Sequence, residues 1–131
     1  METAFDHERL EVYQVAVEFV GLADGIIEAL PKGRAYLADQ LQRAATSIVL
    51  NIAEGAGDRF GPDKARFYRM ARRSATECAG VLDVCRTLRA SDETMLLQGR
   101  ELLIRVVQML VRLDKSVAQA ATDSDTDTAT T

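Results

Sequence analysis

At 131 residues the chain is one domain by length, large enough to bury a core without disulfides or a metal. Apolar residues make up 47% and charged residues 27%, but aromatics only 5% and Trp is absent, so the core has to be built from Leu, Val, Ile and Ala. The net charge of −4 owes three units to Asp123, Asp125 and Asp127; residues 1–117 carry sixteen basic against seventeen acidic groups, and bulk charge argues neither for nor against a nucleic-acid partner.

The opening Met1-Glu2-Thr3-Ala4-Phe5-Asp6 is acidic, without the basic and apolar regions of a secretion signal. No apolar run is long enough to span a bilayer, so a membrane partner is not expected and the cytoplasm is the expected location. The first helix is predicted to start where Asp6 caps it and Phe5 packs on Leu10 one turn later, and to run to about Leu30. Pro31-Lys32-Gly33 then ends it. On a helical wheel the polar stripe of this segment is narrow, comprising Glu11, Gln14, Glu18 and Glu28, while Tyr13, Val15, Phe19, Leu22, Ile26 and Ile27 spread around the rest.

From about Arg34 to Glu54, Leu37, Leu41, Ala44, Ala45, Ile48 and Ile52 recur at three- and four-residue spacings, one face of a second helix that Gly55-Ala56-Gly57 terminates. Gly61-Pro62 opens a third, with proline in the first turn where its missing N–H does no harm. Its expected inner stripe is Phe67, Met70, Ala71, Ser74, Cys78, Val81, Cys85 and Leu88. Cys78 and Cys85, seven residues apart on one helix, sit ~10 Å apart along the axis, too far for a disulfide; they read as buried fillers.

Ser91 is a plausible cap for a fourth helix, with Asp92 and Glu93 where the macrodipole favours negative charge. Leu96, Leu103, Leu110 and Val117 recur every seven residues, and Met95, Leu102, Val106, Met109 and Leu113 form a second stripe beside them. From Ala118 to Thr131 the chain is small, polar and acidic, and an unstructured tail is expected. The predicted fold is all-α: an antiparallel up-down-up-down four-helix bundle over residues 1–117 and a disordered acidic tail over 118–131. Surplus apolar surface on the first and last helices points to a homo-oligomer.

Two groups of residues could carry function. Ser47, Asn51 and Glu54 share a face of the second helix, and Ser74 and Glu77 lie a turn apart on the third. A Gly-rich turn would bring them together, either as a carboxylate pair, Glu54 and Glu77, for acid–base or metal chemistry, or as an inter-helix polar network that fixes register. With His7 the only histidine, and no Ser-His-Asp set, Gly-Lys-Ser loop or dinucleotide glycine pattern, the network reading is preferred; no enzyme activity, metal or cofactor is expected. The second group is basic: Arg59, Lys64, Arg66, Arg69, Arg72 and Arg73 against one acid, Asp63. It is either a phosphate-binding face or an ordinary solvated one.

The run Arg43-Ala44-Ala45-Thr46-Ser47-Ile48-Val49-Leu50-Asn51-Ile52-Ala53-Glu54-Gly55 resembles the Arg-Ala-Ala-x-Ser-Ile-x-x-Asn-Ile-Ala-Glu-Gly signature of four-helix bundle proteins related to those encoded within 23S rRNA intervening sequences. Phe5 to Tyr13, Phe67-Tyr68-Arg69, Ser74 and Glu77 are similar to further parts of that pattern, which covers about Phe5 to Ser116. The resemblance implies a bacterial cytoplasmic bundle assembled as a homopentamer. Accessory proteins of diversity-generating retroelements are similar, and those are strongly basic partners of a reverse transcriptase and nucleic acid. Two departures stand out: Val49 replaces a proline common in the family, and the body of this chain is near neutral. Three readings follow: an RNA- or ribonucleoprotein-associated oligomeric scaffold acting through the Arg-rich face, a purely structural or protein-binding oligomer, and a small-molecule or metal site at Glu54 and Glu77.

Overall fold

The computed structural model describes residues 5–58 and 61–130, the residues from 124 onward by backbone alone. A single 3-10 turn, Asp6–Arg9, precedes four α-helices: α1 Glu11–Ala29, α2 Ala35–Gly57, α3 Gly61–Thr87 and α4 Glu93–Thr130. Contacts run α1 to α2, α2 to α3, α3 to α4 and α4 back to α1, with none across either diagonal. The bundle is therefore a closed square in which α1 and α3 occupy opposite corners, as short links between successive helices demand.

One core fills the square. Phe19 and Ile26 from α1, Leu41, Ile48 and Ile52 from α2, Cys78 and Cys85 from α3, and Val106 and Leu110 from α4 are fully buried, and among the described residues no polar or charged one is buried with them. Leu37, Leu41, Ala44, Ala45, Ile48 and Ile52 are the buried face of α2, as their spacing predicts. On α3 the expected and observed stripes share Ala71, Cys78, Val81 and Cys85, but the observed one is turned by about half a residue's step. Tyr68, Ala71, Ala75, Cys78, Val81, Leu82 and Cys85 are buried, whereas Met70 and Leu88 face solvent. A rotation of about 50° separates the two choices, and only the positions of the neighbours select between them.

The apolar surplus of the outer helices is largely absorbed inside the chain. Tyr13, Leu22 and Ile27 of α1 and Met95, Met109, Leu113 and Val117 of α4 pack against the core. The wide stripes are wide because each of these helices touches two neighbours. What stays exposed on α4 is Leu97 and Ile104, at 49% and 44%.

Several termini differ from expectation. Asp6 does not cap α1, whose N-cap is Leu10 in an extended conformation, and Phe5 is 63% exposed and stacks on the His7 ring. At the other end Gly33, at φ 91°, supplies the left-handed turn into α2. The α3–α4 link closes α3 with Arg89 at φ 53° and the Ala90 N–H donating to the Cys85 carbonyl at 2.9 Å, a left-handed C-cap usually filled by glycine. The α4 cap is Asp92, whose carboxylate accepts from the Met95 N–H at 3.2 Å, and not Ser91.

Val117 is the last apolar side chain packed on the core. Residues 118–123 are exposed, as a segment with nothing to bury must be, while the backbone continues α4 to Thr130 where an unstructured tail is expected. Local bonds support the continuation: Thr122 Oγ1 donates to the Ala118 carbonyl and Gln119 Nε2 to Asp123, each four residues apart. Thr131 lies outside the described residues. No helix among the described residues is long and apolar enough to cross a membrane.

Helix α2 ends within the Gly55-Ala56-Gly57 run, as expected, with Gly57 its last residue. Gly55 is buried in that last turn, where a Cβ would meet Tyr68 Cε1 at 2.7 Å and Cδ1 at 2.9 Å. Glycine here permits the closest approach of α2 to α3. Gly55→Ala is expected to lower unfolding free energy by about 1–3 kcal/mol, through overpacking that outweighs its helix-propensity gain. Gly80→Ala, exposed with nothing within 4 Å of the added carbon, should instead be neutral or stabilising. Urea titration of both variants checks the contrast, and equal effects would contradict it.

Candidate nucleic-acid interface

Helix α3 starts at Gly61-Pro62 and presents its basic residues from the second turn onward. Arg66, Arg69 and Arg73 are exposed on its outer side, and among the described residues no carboxylate lies within ion-pair distance of them. The Arg66 guanidinium lies over the Phe67 ring, 5.0 Å from its centroid, which leaves its N–H edges free to donate.

The other basic residues serve the fold. Lys64 Nζ donates to the Gly55 carbonyl at 2.7 Å and the Ala56 carbonyl at 3.3 Å, supplying a cation to the negative end of the α2 dipole. It also sits 5.6 Å over the Tyr68 ring. Arg72 turns toward α4, where its Nη1 is 3.6 Å from Asp114, a half-buried pair that ties the two helices together. Lys64 and Arg72 thus have partners within the bundle, and Arg59 lies outside the described residues.

Charge is segregated by corner. Helix α1 carries Glu11, Glu18, Asp24 and Glu28 and no Lys or Arg, while α3 carries six basic residues against Asp63, Glu77 and Asp83. Since α1 and α3 do not touch, the near-neutral body has an acidic corner and a basic corner facing away from each other. This is how a chain without net positive charge can still offer a local positive field.

The five-residue polar group divides in two. Ser74 Oγ donates to Ser47 Oγ at 2.8 Å across the α2–α3 seam, and Asn51 Nδ2 donates to Ser47 Oγ at 3.0 Å and to the Ser47 carbonyl at 2.9 Å. Glu54 and Glu77 are exposed and stand outside this chain of bonds. Glu54 faces instead the open cleft it shares with Phe5, His7 and Asp58. Among the described residues no cluster of three His, Cys, Asp or Glu side chains is placed to hold a metal ion. Both cysteine thiols are free and buried. Burial, with a smaller push from the Glu77 charge, raises the Cys78 thiol to about 12, and burial likewise raises Cys85.

Three comparisons bear on this arrangement. A family model described as 23S rRNA-intervening sequence protein matches residues 8–112. In fold the chain is similar to a crystal structure of a protein with unknown function from the S23 ribosomal protein family of Bacteroides thetaiotaomicron, with a TM-score of 0.73 at 18% identity over 79% of this chain and 95% of that one. Among curated proteins none matches the chain by sequence.

Removing the shared acceptor tests the seam. Ser47→Ala removes the acceptor of the Ser74 hydroxyl in a half-buried site, while Asn51 keeps its bond to the carbonyl of residue 47, and is expected to cost about 1–2 kcal/mol. Adding Ser74→Ala should cost less than the two single losses combined, with a coupling of about 0.5–1 kcal/mol. Additive effects in chemical denaturation would show that the hydroxyls act independently.

Proposed function

Because the chain belongs to the 23S rRNA-intervening sequence protein family, we propose that it is an oligomeric, non-enzymatic binding protein whose ligand is RNA, held by phosphate contacts to the outer face of α3. The observation that carries this reading is the set of exposed arginines Arg66, Arg69 and Arg73 without an ion-pair partner, at the corner opposite acidic α1. Guanidinium groups bind phosphate oxygens bidentately, and three of them on one turn-spaced face follow a backbone with no demand on base sequence.

Retention of a single-stranded uridine 20-mer on filters over a salt series tests the proposal. Three phosphate contacts predict a log–log salt slope near −2, about a fifteenfold loss of affinity between 50 and 200 mM salt. Replacing Arg66, Arg69 and Arg73 together by Gln should remove most of that dependence. No retention at the lowest salt would refute the RNA ligand.

Assembly belongs to the same reading. The family resemblance suggests a homopentamer, and Leu97 and Ile104, seven residues apart on the outer side of α4, offer an apolar contact for another copy. Symmetric repetition would multiply the basic corner around a ring. Light scattering of the full chain at micromolar concentration should give a mass several times 14.4 kDa, and Leu97→Asp with Ile104→Asp should reduce it. A monomeric mass overturns the assembly. A mass that falls instead in the triple arginine variant would assign the α3 face to subunit contact.

A further inference from the structure

The outer side of the α2–α3 seam gathers most of the apolar surface that the fold leaves uncovered. Among the described residues nine large apolar side chains are exposed, and five of them border this seam: Tyr36 and Leu50 on α2, and Met70, Val84 and Leu88 on α3. Leu50 stands one turn from Ser47 and Met70 one turn from Ser74, on the solvent side of the two bonded hydroxyls. A gathering of this kind is unusual on a surface that stays in water.

Charges interleave with these residues in a regular way. Ser47 meets Ser74, and Gly55, further along α2, meets Tyr68, earlier on α3; the two helices are therefore antiparallel, and these contacts fix which residues are level. Arg43, four residues before Ser47, is level with Glu77, three after Ser74. Leu50, three after Ser47, is level with Met70, four before Ser74. Further along the same ridges, Tyr36 falls between the levels of Val84 and Leu88, and Glu54 within about one turn of Arg66. At each level the two helices thus carry either apolar residues on both sides or an acid opposite a base. Arg43, Glu54, Arg66 and Glu77 are exposed, and among the described residues none of them forms an ion pair within the chain.

Such a strip is complementary to itself. Rotation by a half turn about an axis parallel to the helices and lying over the seam sets α2 of one copy on α3 of the other without changing level. We infer that a second copy of this chain docks on this face as a two-fold dimer, in which Arg43 meets the partner's Glu77, Leu50 the partner's Met70 and Glu54 the partner's Arg66. The two seams then form a further square of four helices with antiparallel neighbours, the packing each bundle already uses. The face runs ~27 Å from Tyr36 to Glu54 and about 20 Å across two helices, roughly 500 Å² per copy. That is small for a specific interface, and dissociation in the micromolar range is expected. A strip with both signs of charge between apolar residues suits a phosphate backbone poorly. The contact is additional to that of Leu97 and Ile104 on α4 and does not depend on RNA binding.

Light scattering in a Leu97→Asp, Ile104→Asp background reads this contact alone. At about 100 µM that protein should approach twice 14.4 kDa. Arg43→Glu sets like charges against each other at both symmetry-related sites, as does Glu77→Arg, and either change should weaken the dimer at least about tenfold. An equimolar mixture of the two variants has opposite charges at both sites again and should regain the dimer mass. Mixing does not repair a misfolded chain, so recovery marks pairing between copies. A monomeric mass in the background protein, single variants that stay dimeric, or a mixture as dissociated as its components would each overturn the dimer, leaving the RNA reading and the α4 contact untouched.

Discussion

The closeness of α2 to α3 is the constraint on which the rest of the molecule depends. Tyr68 lies against Gly55 where any side chain would collide, and Ser74 reaches Ser47 across the seam 2.8 Å away. Two polar hydroxyls and one missing Cβ fix both the distance and the register of the pair, because neither contact survives a slide of one turn. With that register set, Lys64 meets the exposed carbonyls at the end of α2, and Arg72 is turned toward Asp114 on α4. The alternation of short links then completes the square. A core built of aliphatic side chains packs many arrangements about equally well, and such polar or steric markers choose among them.

The same register sorts the cations. Lys64 and Arg72 lie inside the circle of nearby acceptors and are spent on the fold, whereas Arg66, Arg69 and Arg73 point outward and keep their donors. A cation capping a helix or paired in a half-buried cleft is held by short-range contacts that salt screens poorly. An exposed arginine is held by nothing until a ligand arrives. The division between structural and available charge along one helix is therefore a matter of direction and not of composition. It also explains why a body with almost equal numbers of acids and bases need not be electrostatically bland: α1 and α3 face opposite ways across the bundle.

Much was legible in the chain itself. Its 3.6-residue periodicity, glycine and proline punctuation and lack of period-two alternation determined four helices, their approximate bounds and the inner face of α2, because those signals are local and each helix answers to its own sequence. The Arg43–Gly55 run marked the seam before any contact was known, and Ser47, Asn51 and Ser74 meet there as their spacing allows. What tertiary structure alone decided was whatever depends on a neighbour. It rotated the α3 stripe so that Met70 and Leu88 face out and Tyr68 and Leu82 in, and it absorbed the apolar excess of α1 and α4 into contacts with two partners each. It gave Gly55, within the run that ends α2, a packing contact with Tyr68, left Glu54 and Glu77 in solvent, and separated the fold's cations from the exposed ones. Periodicity gives a face but not its angle to the next helix, and charge gives a sign but not a partner; both are distances between residues far apart in sequence, and only the folded chain sets them.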